Sequence, residues 1–173
     1  MTTAPFETVV EDHASTILRV CRAVLGAGPD ADDAWSETFL AALRAWPELD
    51  PDTNMEAWLV RVAHRKAIDI TRHRARRALP VEEIDETALA TSRPPAPADS
   101  SSEIWDEVAA LPQRQRLAIA YHYLGGLPHA ETAELTGSTP AAVRRAAADG
   151  IKALRRNHRP PTSPELSTKG AHR

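Results

Sequence analysis

The chain has a single cysteine and few aromatic residues, and both shortages restrict its fold. With Cys21 as its one cysteine, the chain cannot form an internal disulfide or a zinc site built on cysteines. Aromatic residues are 5% of the chain, and no segment alternates as a β-strand requires. No apolar run reaches the roughly 18 residues of a membrane span. Glu7, Glu11 and Asp12 stand where a signal peptide would be basic and then apolar. We therefore expect a cytosolic, all-α protein without membrane insertion.

Catalytic and metal-binding motifs are missing as well. The seven histidines are scattered along the chain, and solvated or capping roles account for all of them. No HExxH, glycine-rich phosphate loop or nucleophile elbow occurs. An enzyme is thus the least favoured class, and we expect no cofactor, no metal and no small-molecule substrate.

Charged residues are strongly segregated along the chain, although its formal net charge is only −3. Residues 1–60 and 78–110 carry net charges of −8 and −7, whereas residues 61–77 and 111–159 carry +6 and +5. Two basic blocks in acidic surroundings suggest two contacts with a polyanion. The alternative is that each block is a solvated helix face.

Composition divides the chain into two helical domains, residues 6–77 and 103–157. Residues 78–102 are acidic and then rich in Pro and Ser, which predicts a flexible linker, and residues 158–173 resemble it in composition and predict a disordered tail. Helical periodicity predicts helices over 6–25, 30–46 and 55–77, and then over 103–110, 112–124, 128–136 and 140–156. Asp30 is the expected N-cap of the second helix.

Two faces of the first domain are candidate binding surfaces. The outer face of helix 30–46 holds Asp33, Glu37, Leu40 and Arg44, where an apolar side chain among charges suggests either protein docking or an isolated exposed leucine. The third helix has a core stripe of Leu59, Val62, Ala63, Ala67 and Ile70. Its other side combines an aromatic ring with cations, a combination that suits single-stranded nucleic acid. These residues are Trp58, Arg61, Arg65, Lys66 and Arg72. Alternatively, Trp58 packs at the helix start and the arginines are solvated and pair with Asp69.

The second domain has a helix-turn-helix pattern and is expected to be winged-helix-like, with four helices. A short helix, the turn Gly137-Ser138-Thr139 and an amphipathic helix follow one another, with Thr139 as N-cap before Pro140. In the last helix Val143, Ala147, Gly150 and Leu154 face inward. The outer side holds basic residues that can reach DNA, among them Arg144, Arg145, Lys152 and Arg155. The alternative is a helical hairpin with a basic outer face.

Three segments in order resemble bacterial sigma factors of RNA polymerase, in the small extracytoplasmic-function group of the sigma-70 family. They read DADDAWSETFLAALRAW, EAWLVRVAHRKAIDITRHRARR and LPQRQRLAIAYHYLGGLPHAETAELTGSTPAAVRRAAADGIKALRR. The resemblance implies a promoter-specificity factor whose partners are core RNA polymerase, promoter DNA and an anti-sigma factor. It also implies a cytoplasmic protein that is associated with the nucleoid through the polymerase.

The same resemblance implies roles for the faces described above. It assigns polymerase binding to Asp33, Glu37, Leu40 and Arg44, and minus-ten DNA to Asn54, Trp58, Arg61, Arg65, Lys66 and Arg72, with residues 50–54 capturing a flipped base. It assigns minus-thirty-five DNA to Thr139, Arg144, Arg145, Lys152 and Arg155. Thr132 stands where the family has an aliphatic core residue, which predicts a less stable helix-turn-helix. The competing hypothesis is a polymerase-independent helix-turn-helix regulator, which leaves Trp58 and its arginines without a role.

Overall fold

The computed structural model describes residues 5–77 and 100–157, with side chains in the second range from residue 104 onward. These two ranges are helical and contain no strand, which confirms the all-α prediction for them. Residues 78–99 of the predicted 78–102 linker, and the predicted tail, lie outside the described residues. The fourth helix begins at Ser100 rather than at residue 103. Composition alone assigned these serines to the linker, and composition does not locate a helix start.

The three N-terminal helices are α1 (Phe6–Leu25), α2 (Pro29–Ala45) and α3 (Met55–Arg77). The predicted N-cap at Asp30 is wrong. Gly28 precedes α2 and Pro29 occupies its first turn, a position that proline favours because it needs no donor there. Asp30 lies in that first turn and forms an ion pair with Arg74 near the end of α3. The helix also ends one residue earlier than predicted, before a short 3₁₀ turn at Trp46–Glu48.

The four C-terminal helices are α4 (Ser100–Ala110), α5 (Gln113–Ala118), α6 (His129–Thr136) and α7 (Pro140–Asn157). The single helix predicted over 112–124 is instead α5 followed by a π-helical segment, Ile119–Leu124. There the N–H of Gly125 donates to the carbonyl of Ala120, five residues back, at 2.9 Å. This wider turn changes which side chains of the segment face the N-terminal helices.

One hydrophobic core joins the two groups of helices. Ile17, Leu59 and Phe39 of the N-terminal helices lie in the same buried cluster as Tyr121 and Leu127. A second and smaller cluster lies within the C-terminal helices alone and consists of Ala118, Ala133, Val143 and Ala147. Across the described residues, no helix combines the length and apolarity needed to cross a membrane.

Candidate nucleic-acid interface

Asn54 and the turn before it fix the start of α3. The Asn54 side-chain oxygen accepts a hydrogen bond from the Ala57 N–H at 3.1 Å, which is an N-cap contact. Within the preceding loop, the Asp52 N–H donates to the Asp50 carboxylate at 2.9 Å. Asn54 is exposed, so the loop proposed from the family resemblance is ordered at its end and open to solvent.

The predicted core stripe of α3 is buried at Leu59, Val62, Ala63 and Ala67, and Ile70 is half-buried. Trp58 is half-buried and packs against the main core, so part of its ring serves packing, as the alternative interpretation expects. Val60 was not predicted to be buried, yet it is fully inaccessible. Val60 lies beside Ala67 at the edge of that stripe, so the buried face of α3 is wider than predicted.

The cations of α3 fall into two groups. Arg65 and Arg72 are exposed and available to phosphate. Arg61 donates from Nη2 to Glu131 Oε2 of α6 at 2.8 Å, rather than pairing with Asp69 as the alternative expected. Lys66 Nζ lies 3.5 Å from Glu37 Oε2 of α2.

His64 and Tyr121 form a polar contact that sequence reasoning missed. His64 Nδ1 lies 2.6 Å from the Tyr121 hydroxyl oxygen, and the two rings meet edge to face at 5.1 Å. Burial, with a further contribution from Arg65, lowers the pKa of His64 below its ordinary value. Burial likewise raises the pKa of Tyr121. The position of His64, one turn beyond Val60, is a local signal that its ring faces protein. Nothing in the sequence placed Tyr121 opposite it.

The prediction that every histidine is solvated or a cap is thus wrong for His64, and it is also wrong for His122. His122 Nδ1 lies 2.7 Å from the carbonyl oxygen of Leu127, and its ring stacks on His129 at 3.8 Å. These contacts hold the turn between the π-helical segment and α6. Across the described residues, no three histidine, cysteine or acidic side chains are arranged to bind a metal ion.

The predicted docking face of α2 is open to solvent. Asp33, Glu37, Leu40 and Arg44 are all exposed, and Leu40 is 46% accessible. Leu43, which was not predicted, is 51% accessible and enlarges the apolar area. The inner side of the helix buries Phe39 and Ala42.

The last helix is built as the sequence predicted. The Thr139 hydroxyl accepts a hydrogen bond from the Ala142 N–H at 3.2 Å, and Val143, Ala147 and Gly150 are buried. Gly150 packs closely on the preceding segment: a Cβ there would lie 2.7 Å from Ile119 Cδ1, so that side chain would have to shift to admit a larger residue. The cations of the outer face are exposed, namely Arg144, Arg145, Lys152 and Arg155. A rigid helix thus presents a basic face of the kind that contacts DNA.

The sequence matches two regions of one protein family, in the same order along the chain as the surfaces described above. Residues 9–77 match Sigma-70 region 2, and residues 101–154 match Sigma-70, region 4. The chain is 33% identical over 156 residues to the ECF RNA polymerase sigma factor SigD of Mycobacterium tuberculosis, covering 85% of this chain and 74% of SigD. It is 28% identical over 152 residues to the RNA polymerase sigma factor CarQ of Myxococcus xanthus, covering 87% of each.

Solved structures share the fold. The sigma factor RpoE from Bartonella quintana, in complex with the anti-sigma factor NepR, superimposes with a TM-score of 0.66 at 15% identity and covers 87% of this chain and 94% of RpoE. CnrH in complex with the cytosolic domain of CnrY superimposes with a TM-score of 0.59 at 23% identity and covers 88% of this chain and 86% of CnrH. The matches to Sigma-70 regions 2 and 4 and to SigD show that the chain belongs to the extracytoplasmic-function group of sigma-70 factors and is a promoter-specificity subunit of bacterial RNA polymerase.

Proposed function

We propose that three faces of this sigma factor divide its work. The acidic and apolar face of α2 binds core polymerase through Asp33, Glu37, Leu40 and Arg44. The α3 face and its preceding loop hold the opened minus-ten strand through Asn54, Trp58, Arg61, Arg65, Lys66 and Arg72. The basic face of α7 contacts the minus-thirty-five duplex through Thr139, Arg144, Arg145, Lys152 and Arg155. The two functional domains are residues 6–77 and 103–157.

The observation that carries the polymerase assignment is the exposure of Leu40 and Leu43 beside two carboxylates on one helix. Apolar side chains grouped on a rigid helix are a common basis for protein docking, and flanking charges set orientation and rate of association. A polymerase-independent regulator would give this face no use.

The partner proposals follow from the family. One compared structure holds a sigma factor bound to an anti-sigma factor, and another holds CnrH bound to the cytosolic domain of CnrY. We infer that this chain too is held by an anti-sigma factor, acts in the cytoplasm at the nucleoid, and has no catalysis of its own.

The first test is co-elution of the purified chain with core RNA polymerase on gel filtration. Asp33→Lys with Glu37→Lys should abolish co-elution. Glu7→Lys with Glu11→Lys is the matched control, since it reverses two exposed acidic residues at the same helical spacing on α1. Equal loss in both variants would show a general charge effect. Retention in both would refute the α2 assignment.

The second test addresses Trp58. Trp58→Ala should leave polymerase binding intact and impair strand opening, because it removes a stacking surface for unpaired bases. Promoters can first be mapped by sequencing the 5′ ends of RNA made from fragmented host DNA. On a mapped promoter that is already melted at the minus-ten element, the variant should recover activity. A variant that is merely misfolded would not recover.

The third test addresses the basic face of α7. Arg144→Ala with Arg145→Ala should weaken holoenzyme binding to upstream duplex and make it less dependent on salt. Each phosphate contact contributes about 0.9 to the slope of log K against log salt concentration, so two lost contacts reduce the slope by up to about 1.8. An unchanged slope would show that these side chains do not touch phosphate.

A further inference from the structure

Asp149 is the one acidic residue of α7, and it lies among cations on the side of the helix away from the core. It is exposed, as are Arg145 four residues before it and Lys152 three residues after it. Residues at these spacings share one face of a helix. A carboxylate on a face that binds a polyanion weakens binding unless it makes a favourable contact of its own.

The favourable contact is not an ion pair within the helix. Arg145 and Lys152 stand at the two spacings at which such pairs form. Among the residues that the structure describes, however, neither cation pairs with Asp149. The Asp149 carboxylate is therefore available to a hydrogen-bond donor from outside the chain.

Asp149 faces the same groove as residues already proposed to contact the minus-thirty-five duplex. The groove lies between the start of α5, the turn before α7 and α7 itself, and Thr139, Ala142, Arg145 and Asp149 all line it. The neighbouring Gly150 is buried in the helix packing. Because this contact fixes the rotation of α7, the next residue back, Asp149, is held on the groove side.

The first turn of α7 offers little that can distinguish one base from another by hydrogen bonding. Pro140, Ala141 and Ala142 are exposed and present only apolar side-chain atoms. Short side chains let a helix lie deep in the major groove, which brings the following turns close to the base edges. Hydrogen-bonding recognition on this face therefore falls to residues further along the helix, among them Arg145 and Asp149.

We propose that Asp149 reads a cytosine in the minus-thirty-five element. An ionised carboxylate only accepts hydrogen bonds. In the major groove, cytosine presents its N4 amino group as a donor, whereas guanine presents two acceptors, thymine presents an acceptor and a methyl group, and adenine presents a donor beside an acceptor. The inference rests on the proposed function, because that function places α7 against this duplex.

The spacing along α7 predicts where the cytosine stands. Arginine typically pairs with guanine through O6 and N7, so Arg145 is expected to read a guanine. Asp149 lies four residues further, which is about 6 Å along the helix at about 1.5 Å per residue. Successive bases of a strand are about 3.4 Å apart along the duplex axis. The cytosine should therefore stand about two base pairs from the guanine, on either strand.

The experiment selects DNA with holoenzyme reconstituted from the full chain and core polymerase. The pool carries a promoter mapped as above, with its upstream element randomised, and bound duplexes are sequenced. The wild-type chain should enrich cytosine over guanine and thymine about five- to tenfold at one position, the lower part of the range for a specific base contact. Arg145→Ala should lose a guanine preference about two base pairs away.

Two variants of Asp149 make the test specific. Asp149→Asn should change the preference at that position from cytosine to adenine, because an amide pairs with adenine N6 and N7. Asp149→Ala should lose the cytosine preference and gain no other. Glu134→Gln is the matched control, since it converts a carboxylate to an amide at an exposed position on α6 and should keep every wild-type preference.

The outcomes separate this inference from the function on which it rests. Tighter binding of Asp149→Asn to all duplexes, with the wild-type base preferences retained, would overturn the inference and show that Asp149 only repels phosphate. The minus-thirty-five assignment of α7 would then stand. Absence of any upstream base preference in the wild-type holoenzyme would overturn that assignment as well.

Discussion

The contact between Tyr121 and His64 gives the most direct test of the fold. Tyr121→Phe removes one oxygen and keeps the ring, so the packing of the shared core is preserved. Tyr121 is inaccessible in the structure, and water cannot replace the lost partner on that side of His64. Tyr123→Phe is the matched control, because its side chain lies on the same π-helical segment and Tyr123 is 54% exposed.

The expected loss follows from the cost of one hydrogen bond. A net contribution of about 0.5–1.5 kcal/mol is typical, and the 2.6 Å separation and full burial of Tyr121 place this bond toward the upper end. With a urea m-value of about 2 kcal/mol/M, the unfolding midpoint should fall by about 0.5 M. Tyr123→Phe should stay within about 0.3 kcal/mol of wild type, as exposed substitutions usually do.

The assay is urea unfolding followed by circular dichroism, extended to a double-mutant cycle with His64→Ala. The cycle should return a coupling energy of about 1 kcal/mol, because both single variants remove the same contact. Equal midpoints for the two tyrosine variants, together with no coupling to His64, would refute the contact and the packing of the C-terminal helices on α3.

Four further predictions use the same unfolding measurement. Thr132→Val should stabilise the chain by about 1 kcal/mol, because the buried Thr132 hydroxyl has no hydrogen-bond partner among the described residues. Thr38→Val should destabilise it by a similar amount, since that buried hydroxyl donates to a carbonyl at 2.6 Å. A change of the opposite sign in either variant would contradict the prediction made for it. Gly137→Ala should cost about 1 kcal/mol, because φ is +62° at this helix end, and Gly137→Asn should cost less. Burial lowers the pKa of His64, so the unfolded chain binds more protons and the free energy of unfolding should fall as the pH drops below about 6.5. His64→Gln should make that fall shallower, and an unchanged pH profile would contradict the assignment.

Much of the fold follows from local pattern. The limits of α1 and α3 were predicted correctly, because capping residues and apolar periodicity are local signals. The N-cap at Thr139 and the inward face of α7 were predicted for the same reason. The exposed α2 face could also be found, since it depends only on which residues share one side of a helix.

The errors have local physical causes. Asp30 was expected to cap α2, but proline tolerates the first helical turn and the helix begins one residue earlier. The helix predicted over 112–124 contains a π-helical segment, and its five-residue hydrogen bond at Gly125 is not marked by side-chain periodicity.

The sequence by itself determined most of the helix limits, the two basic faces and the resemblance to sigma factors, because each depends on residues close together in the chain. Only the tertiary structure decided that Arg61 meets Glu131, that His64 meets Tyr121 and that Val60 is buried. Those pairs are separated by 70 and 57 residues. No pattern along a helix specifies which distant segment packs against it, since contact between distant segments depends on the shape and burial of the whole chain.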